Sequence, residues 1–553
     1  MRYFFCQLIC NFITPKQGLY YETVYCIGFQ DNFRIMPNRF TDTLFQLIHS
    51  LEKSEKRHFK LYIKRSSAKE DLKIVQLFDA LDKLQDYDEK ILLKKLPGTE
   101  KKQLHNLKTH LYKQILASLR LLKSTDSIDL QLNEQFDYAH ILYKKGLFQQ
   151  SLKLLERAKE TAKANQKYSF STQVIALEKR IEALHITRSI QDRAEQLSIE
   201  ANEISRHIDM VARLSNLALQ LYSWYIKNGH TRNKEDEHAV KKFLSDNLPP
   251  KAFEEEGFYE RLYLYQSFCW DAFIRQDFLM YYRYSKKWID HFEEQPLMIR
   301  VETGHYIKGL HNLLNAHFIL RNYQNFDITL KKFEKFAETD RVKDHDSFRI
   351  QAFIYITSAK INQCFILGTF KEGVLLVPGI EEKLAEYDLF IDSHRILVLN
   401  YKMAMLYFGS GDYETCIDYL QRIINESVDL RSDLQCYARL LHLMAHYELG
   451  NFELMESLTK SVYRFMARKL NLTVLEEEMF KFLRHSFHVS RHTLKQELEK
   501  FLQKIKKFEK NRFETRAFAY LDIISWVESK VYQKPMSEII RQKYLAAKVR
   551  IYK

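Results

Sequence analysis

The stretch YKMAMLYFGSGDYETCIDYLQRII, Tyr401 to Ile424, reads as two amphipathic helices hinged at Gly409-Ser410-Gly411. Apolar residues recur at steps of three and four on both sides of the glycines, the spacing of helices that bury one face. Ala404 stands seven residues before Gly411 and Cys416 five after it, so two small side chains meet where the paired helices come closest. Phe408, Tyr413, Leu420 and Ile423 fill the space around them. One such hairpin cannot bury its apolar face alone and needs neighbours.

Neighbours are present. QFDYAHILYKKGLFQQSLKLLERAKETA repeats the pattern around Gly146, with Ala139 seven before it, Tyr143 three before, Phe148 two after and Ser151 five after. CFILGTFKEGVLLVPGI repeats it around Gly368 with Phe365 and Phe370, and HYELGNFELMESL around Gly450 with Tyr447 and Phe452. Degenerate copies turn at Gln276-Asp277-Phe278, at Arg321-Asn322-Tyr323 and near Gly229. The turns at 229, 276, 321, 368, 411 and 450 are 47, 45, 47, 43 and 39 residues apart, and the 83 residues from 146 to 229 leave room for one more hairpin near 170 to 205.

In its small residues at the helix contact and its aromatic beside the turn, this pattern resembles the tetratricopeptide repeat family, over roughly residues 131 to 470. The period is longer than the family's, which means lengthened helices, and the proline at repeat ends is missing. The expected fold is all-α, an α-solenoid of stacked helix hairpins with helical capping modules at both ends. Residues 36–123 form a basic helical module, 124–470 the repeats, and 471–553 a basic C-terminal cap. In the first module helices are expected over Thr41 to Leu51, from a Ser54 cap to Arg65, over Leu72 to Leu84 and over Thr99 to Leu122. Residues 1–35 hold three of the seven cysteines and no helical period, so they read as an atypical extension, with Met36 as the expected native start.

Composition agrees with a helical reading. The 553 residues include only 14 glycines and 8 prolines, beside 33 tyrosines and 38 phenylalanines that suit interlocking helix pairs. The net charge of +14 is uneven: residues 36–123 carry +8, residues 491–553 +9, and the long middle about −4. Basic ends fit contact with nucleic acid or an acidic partner, and equally fit solubility alone. Scattered cysteines without a C-x-x-C pair suit a reducing compartment, so a cytoplasmic location is expected, and no apolar run approaches the roughly 18 residues of a membrane span.

Motifs for chemistry are scarce. Gly409-x-Gly411 lacks a third glycine and a preceding strand, and no Walker lysine, H-E-x-x-H or G-x-S-x-G occurs, so no enzyme of a common class and no cofactor are expected. His442 and His446 could share a helix face, and His485, His488 and His492 have the spacing for three aligned imidazoles, but neither set has a further ligand and a Thr493–Gln496 capping box would end the second helix early. No metal site is expected. Cys269 and Cys416 fall at packing positions and read as inert core thiols.

Two binding surfaces remain. Lys53, Lys56, Arg57, Lys60 and Lys64 line one face of the second helix, loosely as in helix-turn-helix DNA readers, or as a plain solvated face. The resemblance to tetratricopeptide proteins implies a groove for an extended peptide lined by first helices, at Phe136, His140 and Tyr143, at Tyr401, Met405 and Phe408, and at Leu440, Met444 and Tyr447. Neighbouring helices or the C-terminal cap could equally fill it. The expected function is a non-enzymatic scaffold or adaptor that binds a protein or peptide partner. The alternative is a DNA-binding regulator whose repeats sense a ligand, and an enzyme with an unfamiliar constellation stands third.

Overall fold

The computed structural model describes residues 42–553, except 65–68, 98, 124–126, 186–191, 389, 426–431, 470–471, 487–490, 509–510, 512, 514–521 and 552–553. The described residues are helical, with no strand among them. The extension before residue 42, and with it the expected start at Met36, lies outside the described residues.

The chain opens with α1 (Thr43–Ser50), α2 (Lys53–Lys64), α3 (Lys69–Asp82), α4 (Glu89–Lys95) and α5 (Lys101–Leu122). Phe45, Ile48, Phe59, Phe78, Leu111 and Ile115 are buried here, and the Phe59 and Phe78 rings lie 4.8 Å apart. Two local readings need correction. Helix α2 begins at Lys53, one residue ahead of the expected Ser54 cap, and Glu55 Oε2 accepts from the Glu52 amide at 2.9 Å. Helix α4, absent from the sequence reading, is nucleated by Asp88, whose carboxylate accepts from the amides of Lys90 and Ile91.

Helix pairs follow: α6 (Ile128–Lys144) with α7 (Phe148–Ala164), and α8 (Tyr168–His185) with the 36-residue α9 (Arg193–Asn228). After α10 (Lys234–Asn247) come α11 (Phe258–Ile274) with α12 (Phe278–Glu294), and then the short α13 (Pro296–Val301). Next are α14 (Thr303–Ile319) with α15 (Tyr323–Ala337), α16 (Asp340–Lys343), and α17 (Asp346–Leu367) with α18 (Phe370–Val374) and α19 (Val377–Glu386). The last pairs are α20 (Ser393–Ser410) with α21 (Tyr413–Ile424) and α22 (Ser432–Glu448) with α23 (Phe452–Lys469). Successive pairs touch through α9 and α11, α12 and α14, α14 and α17, α17 and α20, and α21 and α22.

The turns explain the pattern read from the sequence. Gly146, Gly229, Gly368, Gly411 and Gly450 all take φ between +71° and +93°, and Gln276 and Arg321 hold the same left-handed conformation at +59° and +54° without being glycine. At Gly411 the amides of Gly411 and Asp412 donate to the carbonyls of Phe408 and Tyr407, and the Asp412 carboxylate then caps α21 through the Thr415 amide at 3.1 Å. An aromatic pair spans four of these turns: Tyr143 and Phe148, Phe365 and Phe370, Phe408 and Tyr413, and Tyr447 and Phe452 have ring centroids 5.4–6.1 Å apart. The small-residue contact is equally concrete. Ser151 Oγ donates to the Ala139 carbonyl at 2.8 Å across α6 and α7, and Ala404 and Cys416 are fully buried.

Beyond α23 the chain forms α24 (Val474–Ser486), α25 (Arg491–Lys506), α26 (Ile523–Val531) and α27 (Met536–Ile551). Thr493 lies inside α25, which starts at Arg491, so the expected capping box is not the start of this helix. Phe482 and Phe501 stack at 4.6 Å between α24 and α25. Trp526 of α26 packs on Tyr447 at 5.8 Å and donates from Nε1 to Glu448 at 2.6 Å. Helix α27 turns back onto α17: Ser537 abuts Gly368, and Tyr544 meets Tyr323 at 4.8 Å.

Candidate functional site

The expected groove residues are mostly filled in. Tyr401, Phe408, Leu440 and Met444 are 4% exposed or less and belong to one apolar core with residues of α21, α23 and α26. Met405 and Tyr447 pack against that core, the latter under Trp526. Phe136 turns its ring edge to His140 and to Phe170 of α8, and Tyr143 meets Phe148 and His185. The reason is a phase error: α20 is enclosed by α17, α18, α21, α22 and α27, so the face bearing Tyr401 and Phe408 points at helices.

The open face lies one residue further round. A cavity of about 230 Å³ is lined by α9, α11, α12, α14, α17 and α20. One wall is aromatic: the Tyr222 and Tyr225 rings lie 4.9 and 5.7 Å from Trp270, and Tyr225 lies 5.2 Å from Phe273. The facing wall is cationic, with Lys308 and Arg395 beside His311 and His394, and amides and hydroxyls from Asn312, Asn315 and Ser358. None of the lining residues is an aspartate or glutamate.

The polar groups are held in place. Lys308 Nζ sits 5.2 Å from the Tyr355 ring centroid and 6.0 Å from that of Trp270, and His311 stacks on Tyr355 at 4.0 Å. Arg395 reaches Asp392, outside the lining, at 3.2 Å. Two turns further along α20, Lys402 donates to Asn362 Oδ1. Electrostatics register the excess of positive charge. Burial pushes the His311 imidazole well below its ordinary range, and Lys308, Lys402 and Arg395 push it the same way. Burial opposes ionisation of the Tyr355 phenol, yet Lys308, Arg395 and a hydrogen bond with Gln351 together outweigh it and the net shift is downward. Burial alone brings the Lys402 ammonium down to about 7. An anion entering here meets fixed positive charge and an apolar platform, with no carboxylate among the lining residues.

Repetition carries a signal for this site. Lys308 and Tyr355 each stand thirteen residues before their turns at Arg321 and Gly368, and Asn315 and Asn362 each stand six before. Of these, Lys308, Asn315 and Tyr355 line the cavity.

The cationic face of α2 is divided. Lys56 and Lys60 are taken up by Asp82 and Asp79 of α3, each at 2.6 Å, while Lys53, Arg57 and Lys64 are exposed around Leu61, without an ion pair among the described residues. His442 and His446 stand with rings 4.5 Å apart, His446 Nδ1 faces Asn451, and burial takes His442 down to about 4. His485 ends α24 and His492 belongs to α25, while His488 lies outside the described residues. Cys269, at the base of the cavity, is pushed up to about 12 by burial, and burial raises Cys416 further. Neither is a thiolate at neutral pH. No described helix is long and apolar enough to cross a membrane.

Set against protein-family models, curated proteins and solved structures, the chain matches none of them. The site is read from its own chemistry.

Proposed function

We propose that the chain is a non-enzymatic scaffold or adaptor whose helix pairs stack as an α-solenoid in the manner of tetratricopeptide repeats. Its partner is a protein segment that places an anionic group, beside an aromatic or apolar side chain, in the cavity between Trp270 and Arg395. The observation that supports this reading is the wall of Lys308 and His311 from α14 and Arg395 from α20, first helices of pairs on either side of α17, free of any lining carboxylate. Aromatic and arginine groups in a concave, partly desolvated site are the usual anchors of protein recognition.

The test is capture of partners from native lysate by wild type and by the Lys308→Glu/Arg395→Glu variant, with helicity matched by circular dichroism. The expected result is loss of a specific bound protein from the variant. An unchanged set of captured proteins overturns the reading.

A second reading rests on the exposed Lys53, Arg57 and Lys64, which could contact nucleic-acid phosphates. With three free cations the salt dependence of binding to random duplex DNA would have a log–log slope no steeper than about −3. Absence of binding at low salt removes it.

A further inference from the structure

Where α9 passes the start of α11, a second cluster lies outside the cavity. We propose that His207, Glu255 and Glu260 form a binding site for a divalent transition metal, zinc being the best fit. One donor atom from each residue lies within 4.8 Å of the others. Zinc would require the donor atoms of Glu255, on the loop before α11, and of His207 and Glu260 to adjust to roughly 2.1 Å from the ion.

Glu260 is the central residue of the cluster. This residue is fully buried, and its Oε1 lies 2.6 Å from His207 Nδ1. Its Oε2 is buried with no hydrogen-bond partner. A buried acceptor without a partner is costly, the more so on a carboxylate. Half-buried Glu255 adds a second carboxylate and has no ion pair among the described residues. Two carboxylates therefore share one imidazole, which leaves negative charge in excess even when that imidazole is protonated. A divalent cation resolves both the orphan oxygen and the excess charge.

Backbone and ring geometry fit that role. Gly257 has no side chain, and a Cβ there would stand 2.1 Å from Glu260 Oε2, so glycine is what lets the carboxylate fold back over the helix start. The Tyr168 ring stacks on His207 at 4.8 Å and 3°, which fixes the plane of the imidazole. One nitrogen and two carboxylate ligands favour zinc, cobalt or manganese over magnesium and calcium, which prefer all-oxygen shells. Three protein ligands leave a coordination position for water. The ion would tie the loop after Pro249-Pro250 to α9 and so stiffen the passage from α9 to α11.

The test is calorimetric titration of the metal-free full-length chain with zinc chloride, with cobalt(II) absorption as a second readout. Wild type is expected to bind one more equivalent than Glu260→Gln or His207→Ala, to show the cobalt bands, and to unfold at higher temperature with zinc. Glu255→Gln, altered on a loop, keeps the fold and is expected to weaken that equivalent at least tenfold. A proton on Glu260 in place of a metal predicts no difference. Equal stoichiometry and affinity in wild type and Glu255→Gln, or absent cobalt bands in wild type, overturns the proposal.

Discussion

Lys402 shows how one side chain can make a binding site sensitive to pH. Its ammonium is destabilised by burial until it titrates near 7, against 10.5 for a free lysine. An anion in the neighbouring cavity gains from the protonated form, so affinity should fall as pH rises through 7. Benzenesulfonate, ionised throughout, is the suitable probe, and titration at pH 6 and pH 8 should show roughly fivefold weaker binding at the higher pH, the worth of one partly screened charge contact. In Lys402→Met the two affinities should coincide. Burial also acts on His317, 3% exposed and lowered to about 4, and on His442, lowered to about 4. Unfolding returns these imidazoles to ordinary values, so the unfolded chain binds more protons between pH 6.5 and 4, and stability falls as pH falls through that window. For His317 alone the loss is up to about 3 kcal/mol, and urea midpoints at pH 7 and pH 4.5 in wild type and His317→Asn would measure it.

At the scale of helices, turns were the most legible part of the sequence, because a left-handed residue after the last helical turn leaves a mark even when it is not glycine. Gln276 and Arg321 were found by spacing alone, and both take positive φ. Helix α4 was missed because seven residues show too little periodicity, and only Asp88 announces it. Tyr401 and Phe408 are buried rather than open because they sit about 100° round α20 from Arg395, Val398 and Lys402, one residue of phase. The turn fixes where a helix ends but not which of its faces stays open. Two glycines test the turn argument. Gly411→Ala meets only backbone strain, since nothing lies within 4 Å of the new Cβ, and should cost about 1–2 kcal/mol. Gly368→Ala meets the same strain and also places Cβ 2.4 Å from the Ser537 carbonyl oxygen, so backbone must move. Its cost in urea unfolding should exceed that of Gly411→Ala, with faster amide exchange in α27 as the local sign.

Across the whole molecule, the C-terminal helices bind residues far back in the chain. Glu448 accepts from Trp526 and Lys530, and buried Glu528 is held by Lys506 and Lys543, each at 2.7 Å. Trp526→Ala empties a 1% exposed site and should cost roughly 3–5 kcal/mol, read from the denaturation midpoint.

A linear array of repeats can finish each unit as it leaves the ribosome, since each needs only its neighbour. This chain cannot: Tyr323 waits for Tyr544, and the backbone at Gly368 waits for Ser537. While some two hundred residues are still being synthesised, the edge at α15 and α17 stands uncovered, and a nascent chain stalled before residue 536 presents that edge to chaperones or to other nascent copies.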